Sequence, residues 1–201
     1  MGVQITRRVG GLSKRIENGS LEPAMRRVSK YLASSAAGKI NRGVPPENAP
    51  LTQKVKQGNR TLRDNGQLMA SIAPQNGRDW AAAQTNRKQA KILQEGGEIQ
   101  GKGKGLWLPA SAETRRLMRK YNAQKPGELI EAMKGDGYSF FRTGKVFCAR
   151  KKGGKPFALF VIKQSVKIPP RPFLYIDGKD EKYIQTEIRQ AVHEALRGGN
   201  K

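Results

Sequence analysis

The chain has almost none of the residues from which disulfides and metal sites are built. Cys148 is the one cysteine and His193 the one histidine among 201 residues. A single cysteine excludes an intrachain disulfide and is typical of proteins from a reducing compartment. The same counts exclude a zinc site made of four cysteines and any metal site that needs two histidines. We therefore expect no metal and no other cofactor.

Long apolar runs are also missing. Hydrophobic residues make up 36% of the chain, and the mean hydropathy is −0.69. No apolar stretch is long enough to cross a bilayer, and the start of the chain lacks an apolar block of the signal-peptide type. We expect no membrane partner. A chain of this length can bury a real core, but so few apolar residues predict extended parts that become ordered against a partner.

No catalytic constellation is visible. Gly96, Gly101 and Lys102 satisfy the G-x4-G-K spacing of a phosphate-binding loop. However, Gly103 stands where that loop needs Ser or Thr to hold magnesium. Cys148 lacks a nearby base in the sequence and is better interpreted as a small hydrophobic residue of a strand. The few acidic residues are too scattered to favour a metal-dependent nuclease, so we predict that the chain is not an enzyme.

Acidic residues are scarce and unevenly distributed. The chain has 39 Lys and Arg against 16 Asp and Glu, a net charge of +23. Residues 138–175 contain nine Lys or Arg and no Asp or Glu, whereas residues 176–201 contain five of each sign. A field this strong favours an anionic partner, either nucleic acid or the acidic surface of another protein.

Apolar periodicity predicts two long helices. Apolar residues recur at helical spacing over residues 21–40, with Ser20 as the N-cap and Lys39 outside the apolar stripe. A last helix is predicted over residues 178–196, capped by Asp177. These helices would provide two apolar faces on which a sheet can pack.

Strand and turn signals fill the middle of the chain. Residues 72–85 are typical of a hairpin, and residues 138–168 predict one long basic hairpin with Gly153–Gly154 at its tip. Residues 157–162 are apolar on both faces, which predicts a strand covered from both sides. The predicted fold class is α+β: an antiparallel sheet with a long β-hairpin, packed against N- and C-terminal helices. Residues 1–19 are predicted to be a basic N-terminal extension that becomes helical on assembly. Residues 20–99 and 138–197 form a single α/β domain, residues 100–137 a small helical insertion and residues 198–201 a tail.

The most informative stretch runs from Tyr138 to Ile176. The candidate interface residues at the tip of its hairpin are Arg150, Lys151, Lys152 and Lys155. Because uncompensated charges repel one another in a folded subunit, we expect an anionic group to lie near them. The Pro-rich exit from the hairpin has two interpretations. In the first, Phe173 and Leu174 fill the core. In the second, Arg171, Pro172, Phe173 and Leu174 form an interface latch in which Arg171 pairs with a neighbouring subunit. The two are compatible, because the Pro-rich segment is preorganised and loses little entropy on docking.

Two segments together resemble a known family. The first comprises Ala49–Thr52 and Leu62–Ile72, and the second is Ile168–Leu174. In their order and spacing they resemble the phage virion morphogenesis, or tail completion, family of Mu-like and related tailed phages. The motif residues expected in the core are Leu51, Leu62, Gly66, Leu68 and Ile72. Asn65 stands where many members carry Thr, which exchanges a hydroxyl cap for an amide cap.

The resemblance implies a structural protein of a phage virion, located at the tail end or neck. It implies an oligomeric ring, for which we expect a hexamer. It also implies contacts with neighbouring tail tube, terminator, neck or connector proteins. We expect assembly in the host cytoplasm and a final location in the virion.

The alternative interpretation is a general nucleic-acid-binding protein. Such a protein would contact phosphates through the basic hairpin, and its binding would be sensitive to salt. No recognition helix or zinc finger indicates base readout. Non-specific contact with DNA phosphates is also compatible with the virion role, so both kinds of anionic partner stay open at this point.

Overall fold

A computed structural model describes residues 3–8, 21–56, 58–103 and 105–198 of the chain. Its helices are α1 (Glu22–Arg42), α2 (Pro50–Val55), α3 (Gln67–Ala70), α4 (Ala90–Glu95), α5 (Ala112–Lys120), α6 (Pro126–Gly135) and α7 (Gly178–Gly198). Its strands are β1 (Val3–Arg8), β2 (Ala73–Asn76), β3 (Trp80–Thr85), β4 (Gly97–Gln100), β5 (Leu106–Pro109), β6 (Tyr138–Thr143), β7 (Val146–Lys151), β8 (Phe157–Lys163) and β9 (Ser165–Ile168). The strand pairs of the described residues are antiparallel, so the fold is α+β, as predicted.

The chain forms two compact units, each assembled from separate segments. As far as they are described, the first unit consists of Met1–Glu47, Arg60–Gly96 and Pro169–Lys201, and the second consists of Asn48–Asn59 and Gly97–Ile168. The sequence suggested a main domain that includes the basic hairpin and a separate insertion over residues 100–137. In the structure the hairpin and these residues belong to one unit, because β5 pairs with β8.

The first unit packs α1 and α7 with a three-stranded sheet in the order β1-β3-β2. The fully buried apolar residues of α1 recur at helical spacing and form one face: Met25, Val28, Leu32 and Ile40. Ala81 and Ala83 of β3 are 0% exposed, and their small side chains leave room for the larger residues of α1. The predicted β2–β3 hairpin is confirmed, with the Gly77 N–H donating to the Trp80 carbonyl at 3.0 Å.

The start of the chain differs from the expected short helix. Val3–Arg8 is strand β1, which pairs along its length with β3. Val3 and Ile5 alternate with exposed residues and pack against the core, which is the period of a half-buried strand. Backbone groups of a short segment are satisfied on a sheet, whereas an isolated short helix frays. The rest of the expected helix lies outside the described residues.

Helix α1 is confirmed, but two of its details are different. Its N-cap is Leu21, which makes no side-chain cap hydrogen bond, and the predicted cap Ser20 lies outside the described residues. Lys39 is buried, although we predicted it outside the apolar stripe. Its position three residues after Ala36 and seven after Leu32 places it on the buried face.

The second unit contains a four-stranded sheet in the order β5-β8-β7-β6 and a two-stranded sheet of β4 and β9. Helices α5 and α6 were predicted in this region and are confirmed. Leu129 and Met133 of α6 form a core with Leu159 and Phe160 of β8, and apolar residues of α5 pack partly buried against it. The Trp107 ring lies 5.8 Å from the Phe160 ring and 4.9 Å from the Phe147 ring, so aromatic contacts fill much of this core.

The predicted long hairpin is divided in the structure. Its first arm is two strands, β6 and β7, joined through Gly144, whose φ of +56° favours glycine. Its second arm ends at β8, and β9 pairs with β4 in the other sheet. Between β8 and β9 the Gln164 carbonyl accepts the Gly101 N–H at 2.7 Å. The predicted turn between β7 and β8 is confirmed, with the Gly154 N–H donating to the Lys151 carbonyl at 2.8 Å.

A β-bulge buries two successive residues of β8. Phe147 pairs with Phe160, but Cys148 pairs with Ala158, which leaves Leu159 without a partner in β7. Leu159 and Phe160 are both 0% exposed and belong to the same cluster. Successive side chains of a regular strand point to opposite faces, so the bulge directs both residues toward the helices.

Candidate interaction surface

The end of β7 and the turn that follows it carry the four cations that the sequence predicted at an interface. We call Arg150, Lys151, Lys152 and Lys155 the basic tip. All four are exposed. Gly153 has a φ of +76°, a left-handed conformation that glycine adopts without strain, so the chain can turn tightly between the lysines.

The basic tip has no anionic partner in the described part of the chain. The ion pairs there involve other cations. The Lys151 ammonium lies 5.8 Å from the centre of the Tyr138 ring, a distance at which a cation and a ring face attract only weakly. Ser139 donates a hydrogen bond to the backbone carbonyl of Arg150 at 3.1 Å, which fixes the strand and leaves the guanidinium exposed. The tip is therefore a concentrated positive surface that can attract an anion.

Arg171 is buried and bound within the first unit. Its Nε donates to the Pro46 carbonyl and its Nη2 to the Glu47 carbonyl, both at 2.7 Å. Its backbone N–H donates to the Leu93 carbonyl at 2.8 Å. Burial lowers the pKa of Arg171, because desolvation disfavours the charged form. The side chain thus fixes the loop that contains Pro46 and Glu47.

Phe173 and Leu174 lie in the core of the first unit. They are 0% and 5% exposed. Gln94 of α4 accepts their two backbone N–H groups at 3.0 and 3.1 Å and donates to the Leu174 carbonyl at 3.0 Å. This placement matches the core interpretation of the segment. An interface role for the segment stays a prediction. Pro172 is the residue of Arg171–Leu174 that is exposed and could contact a partner. Sequence reasoning missed Gln94, because a glutamine on a short helix does not indicate which distant backbone it binds.

The motif residues predicted for the core are buried to different extents. Leu68 is buried, and Leu62 and Ile72 pack partly buried against the same core in the first unit. Leu51 is half-buried in α2, which belongs to the second unit. The motif therefore supplies side chains to both units.

The same motif contains a tight turn before α3. Leu62 and Gly66 have φ values of +59° and +77°, so both adopt left-handed conformations. Asn65 Oδ1 accepts the Gln67 N–H at 3.3 Å in an Asx turn, but the N-cap of α3 is Gly66, so the amide cap expected from the sequence is not formed. The motif thus fixes the backbone that leads into the short helix.

A buried ion pair, which the sequence analysis missed, joins α1 to α7. Lys39 Nζ lies 2.6 Å from Asp180 Oδ2 and 2.7 Å from the Tyr175 carbonyl, and both charged side chains are almost fully buried. Ser35 donates to the other carboxylate oxygen of Asp180 at 2.7 Å. The backbone N–H of Asp180, together with Lys39, lowers the pKa of Asp177. The helical position of Lys39 was the signal that could have revealed this pair.

Neither a phosphate-binding loop nor a metal site is present among residues 3–8, 21–56, 58–103 and 105–198. Gly96 follows helix α4 and precedes strand β4, which is the reverse of the strand–loop–helix order of a P-loop. No group of three or more His, Cys, Asp or Glu side chains there could hold a metal ion. Within the same described ranges, none of the helices combines the length and apolar character needed to span a bilayer.

Comparison with known proteins identifies a family for most of the chain. The model of the phage virion morphogenesis family matches residues 2–125. This range contains the motif around Leu62–Ile72 and ends before the basic tip and the Pro-rich segment. No curated protein and no solved structure matches significantly.

Proposed function

The chain belongs to the phage virion morphogenesis family, and from this premise we propose that it completes the virion tail or joins tail to head. Members of such a family have a structural or assembly role in the virion and are typically not enzymes. In the proposed mechanism, subunits form a hexameric ring that docks on adjacent rings of tail tube, terminator, neck or connector proteins. The subunits assemble in the host cytoplasm and remain at the tail end or neck.

The basic tip is the observation that carries this proposal. Its four cations are exposed at the end of a four-stranded sheet, and the described carboxylates of the chain do not neutralise them. In a ring, an acidic surface of a neighbouring protein can supply the missing charge. Such contacts increase the rate and specificity of docking more than its affinity.

Neutralising the tip tests the proposal. We expect the triple variant Lys151→Gln, Lys152→Gln, Lys155→Gln to fold normally, because the three side chains are exposed. In a phage that lacks the gene, this variant should fail to restore infectious particles when supplied in trans. Electron microscopy should show tails or heads that are not joined.

A matched control removes the same charge from another surface. The variant Lys88→Gln, Lys91→Gln, Lys182→Gln changes three exposed lysines of the first unit. It should restore particles at the wild-type level. Normal yields from both variants would contradict a role for the tip. If neither variant restores particles, the total positive charge of the chain matters and the location of the lysines does not.

The alternative function is phosphate binding to nucleic acid, which the same exposed cations favour. For about four phosphate contacts, the logarithm of the binding constant should fall with the logarithm of salt concentration with a slope of about −4. Fluorescence anisotropy of duplex DNA with the purified chain measures this slope. The alternative would be favoured by two results together: the tip variant loses this DNA binding, and the same variant still supports normal particle assembly in the complementation test.

A further inference from the structure

The two faces of the four-stranded sheet in the second unit are covered differently. On one face, Phe147, Ala149 and Phe160 pack against α5 and α6, and the central residues of the cluster are 0% exposed. Cross-strand partners in an antiparallel pair lie on the same face. The register therefore places Phe141 with Cys148, and Val146 with Val161, on the opposite face.

We call this opposite side the open face. Its apolar residues larger than alanine are Leu106, Leu108, Phe141, Val146, Cys148 and Val161. None of the six belongs to either buried cluster of the described residues, and each keeps part of its surface exposed. Phe141 is 41% exposed, so its ring presents a large apolar area to solvent. Contiguous apolar surface of this kind typically marks an interaction site.

The charges around the open face are of one sign. Arg150 is the cross-strand partner of Ser139, and Lys163 that of Leu106, so both cations lie on this face. The four strands contain no Asp or Glu. A surface that complements the face is therefore apolar at its centre and acidic at its margin.

A second copy of this chain fits that description poorly. Each copy carries a net charge of +23. Asp180 and Glu187 are already paired with Lys39 and Arg27, and the 16 Asp and Glu of a copy are outnumbered by its 39 Lys and Arg. A DNA duplex would satisfy the cations but would present phosphates to the apolar centre. The charge balance thus favours a different protein.

We propose that the open face binds another virion protein through an apolar patch with an acidic margin on that protein. This inference rests on the proposed virion role and adds to it a defined surface and a partner of defined chemistry. The apolar centre supplies most of the binding energy, since burial of Phe141 and its neighbours removes them from water. Arg150 and Lys163 orient the partner.

The lone cysteine makes the open face measurable without any substitution. Cys148 lies near its centre and is a free thiol. Iodoacetamide should label Cys148 in the free subunit, and this labelling should be lost in finished particles, as measured on the Cys148 peptide by mass spectrometry. Cys148 that stays reactive in particles containing the chain would overturn the inference and leave the proposed function intact.

Substitution of Phe141 identifies the partner. Incorporation of p-benzoylphenylalanine at position 141 should yield a photo-crosslink to a different virion protein with an acidic surface. A crosslink to a second copy of the chain, or to DNA, would overturn the proposal. Absence of the chain from finished particles would instead overturn the proposed function together with this inference.

A charged substitution measures the energy of the contact. Once that protein is identified, Phe141→Asp should weaken its binding at least about 30-fold, as expected when a large apolar residue that is buried in an interface is replaced by a charge. Gln124→Asp is the matched control, because it adds the same charge to an exposed residue beside α6, on the other side of the sheet. Equal affinity of the two variants would contradict the proposal.

Discussion

Two groups of cations, one in each unit of this protein, lie in opposite environments. In the first unit, Lys39 and Arg171 are buried and bound to a carboxylate or to backbone carbonyl groups. In the second unit, the basic tip is exposed and lacks a described carboxylate partner. The residue types are the same, but their burial differs, and burial decides whether a charge contributes to folding or is available to a partner.

This difference assigns separate tasks to the two kinds of cation. A buried ion pair fixes the relative position of two helices, because either charge alone would be left in a medium of low dielectric constant. An exposed cation contributes little to stability and attracts distant anions. Substitutions can therefore test the comparison in both units with the same assay, chemical unfolding in urea.

The largest effect is expected for Lys39→Met. The substitution leaves the Asp180 carboxylate buried without its cation, which should lower the free energy of unfolding by about 3–5 kcal/mol. Lys30→Met, at an exposed position of the same helix, is the control and should change little. The double variant Lys39→Met, Asp180→Asn should lose less than the sum of the single variants. A loss equal to that of the control would show that the pair does not hold α1 against α7.

A smaller loss is expected for Arg171→Lys. A lysine cannot reproduce the two hydrogen bonds from one planar group to Pro46 and Glu47, so the free energy of unfolding should fall by about 1.5–3 kcal/mol. Arg189→Lys, at an exposed position of α7, provides the control. If both variants unfold at the same urea concentration as the wild type, Arg171 does not hold this loop.

The pH dependence of stability should reveal Asp177. Its pKa is lowered in the folded state, chiefly by the N–H of Asp180. Its contribution to stability is therefore fully present above its unfolded pKa of about 3.9 and is lost as the pH falls through the lower, folded pKa. Asp177→Asn should be less stable than the wild type at neutral pH, and the difference should close in acid. Glu98→Gln, which removes an exposed carboxylate, should show no such convergence.

The smallest effect on stability is expected for the triple Lys→Gln variant of the basic tip. Its free energy of unfolding should change by less than about 0.5 kcal/mol. Any change should be a slight gain at low salt, since self-repulsion is reduced. A loss of several kcal/mol would contradict the comparison, because it would mean that the tip holds its own unit together.

Many local elements were predictable from the sequence. The spacing of apolar residues located α1 and α7, and Asp177 accepts the N–H groups of Lys179 and Asp180 as the predicted cap. Asn76–Gly77 and Gly153–Gly154 marked two turns correctly, because turn chemistry depends on a few adjacent residues. The β1 strand was missed, since six residues with two apolar positions also fit a helix.

The candidate surface was predictable in part. A run of cations without acids located the basic tip, because charge can be counted directly. The sequence could not show that Arg171 binds carbonyls far from it along the chain. It also could not show that Leu159 and Phe160 face the same way, since the bulge arises from the register between β7 and β8.

The sequence by itself determined the helices, the turns and the uneven distribution of charge, because each depends on local spacing or on composition. The tertiary structure decided how the strands are shared between sheets, which cations are buried and which sheet face stays open. These features depend on contacts between residues far apart in the chain, where pairing register and packing select one arrangement among several that local pattern allows. Lys39 and Lys151 show the result: two lysines of equal charge, one holding the fold and the other available to a partner.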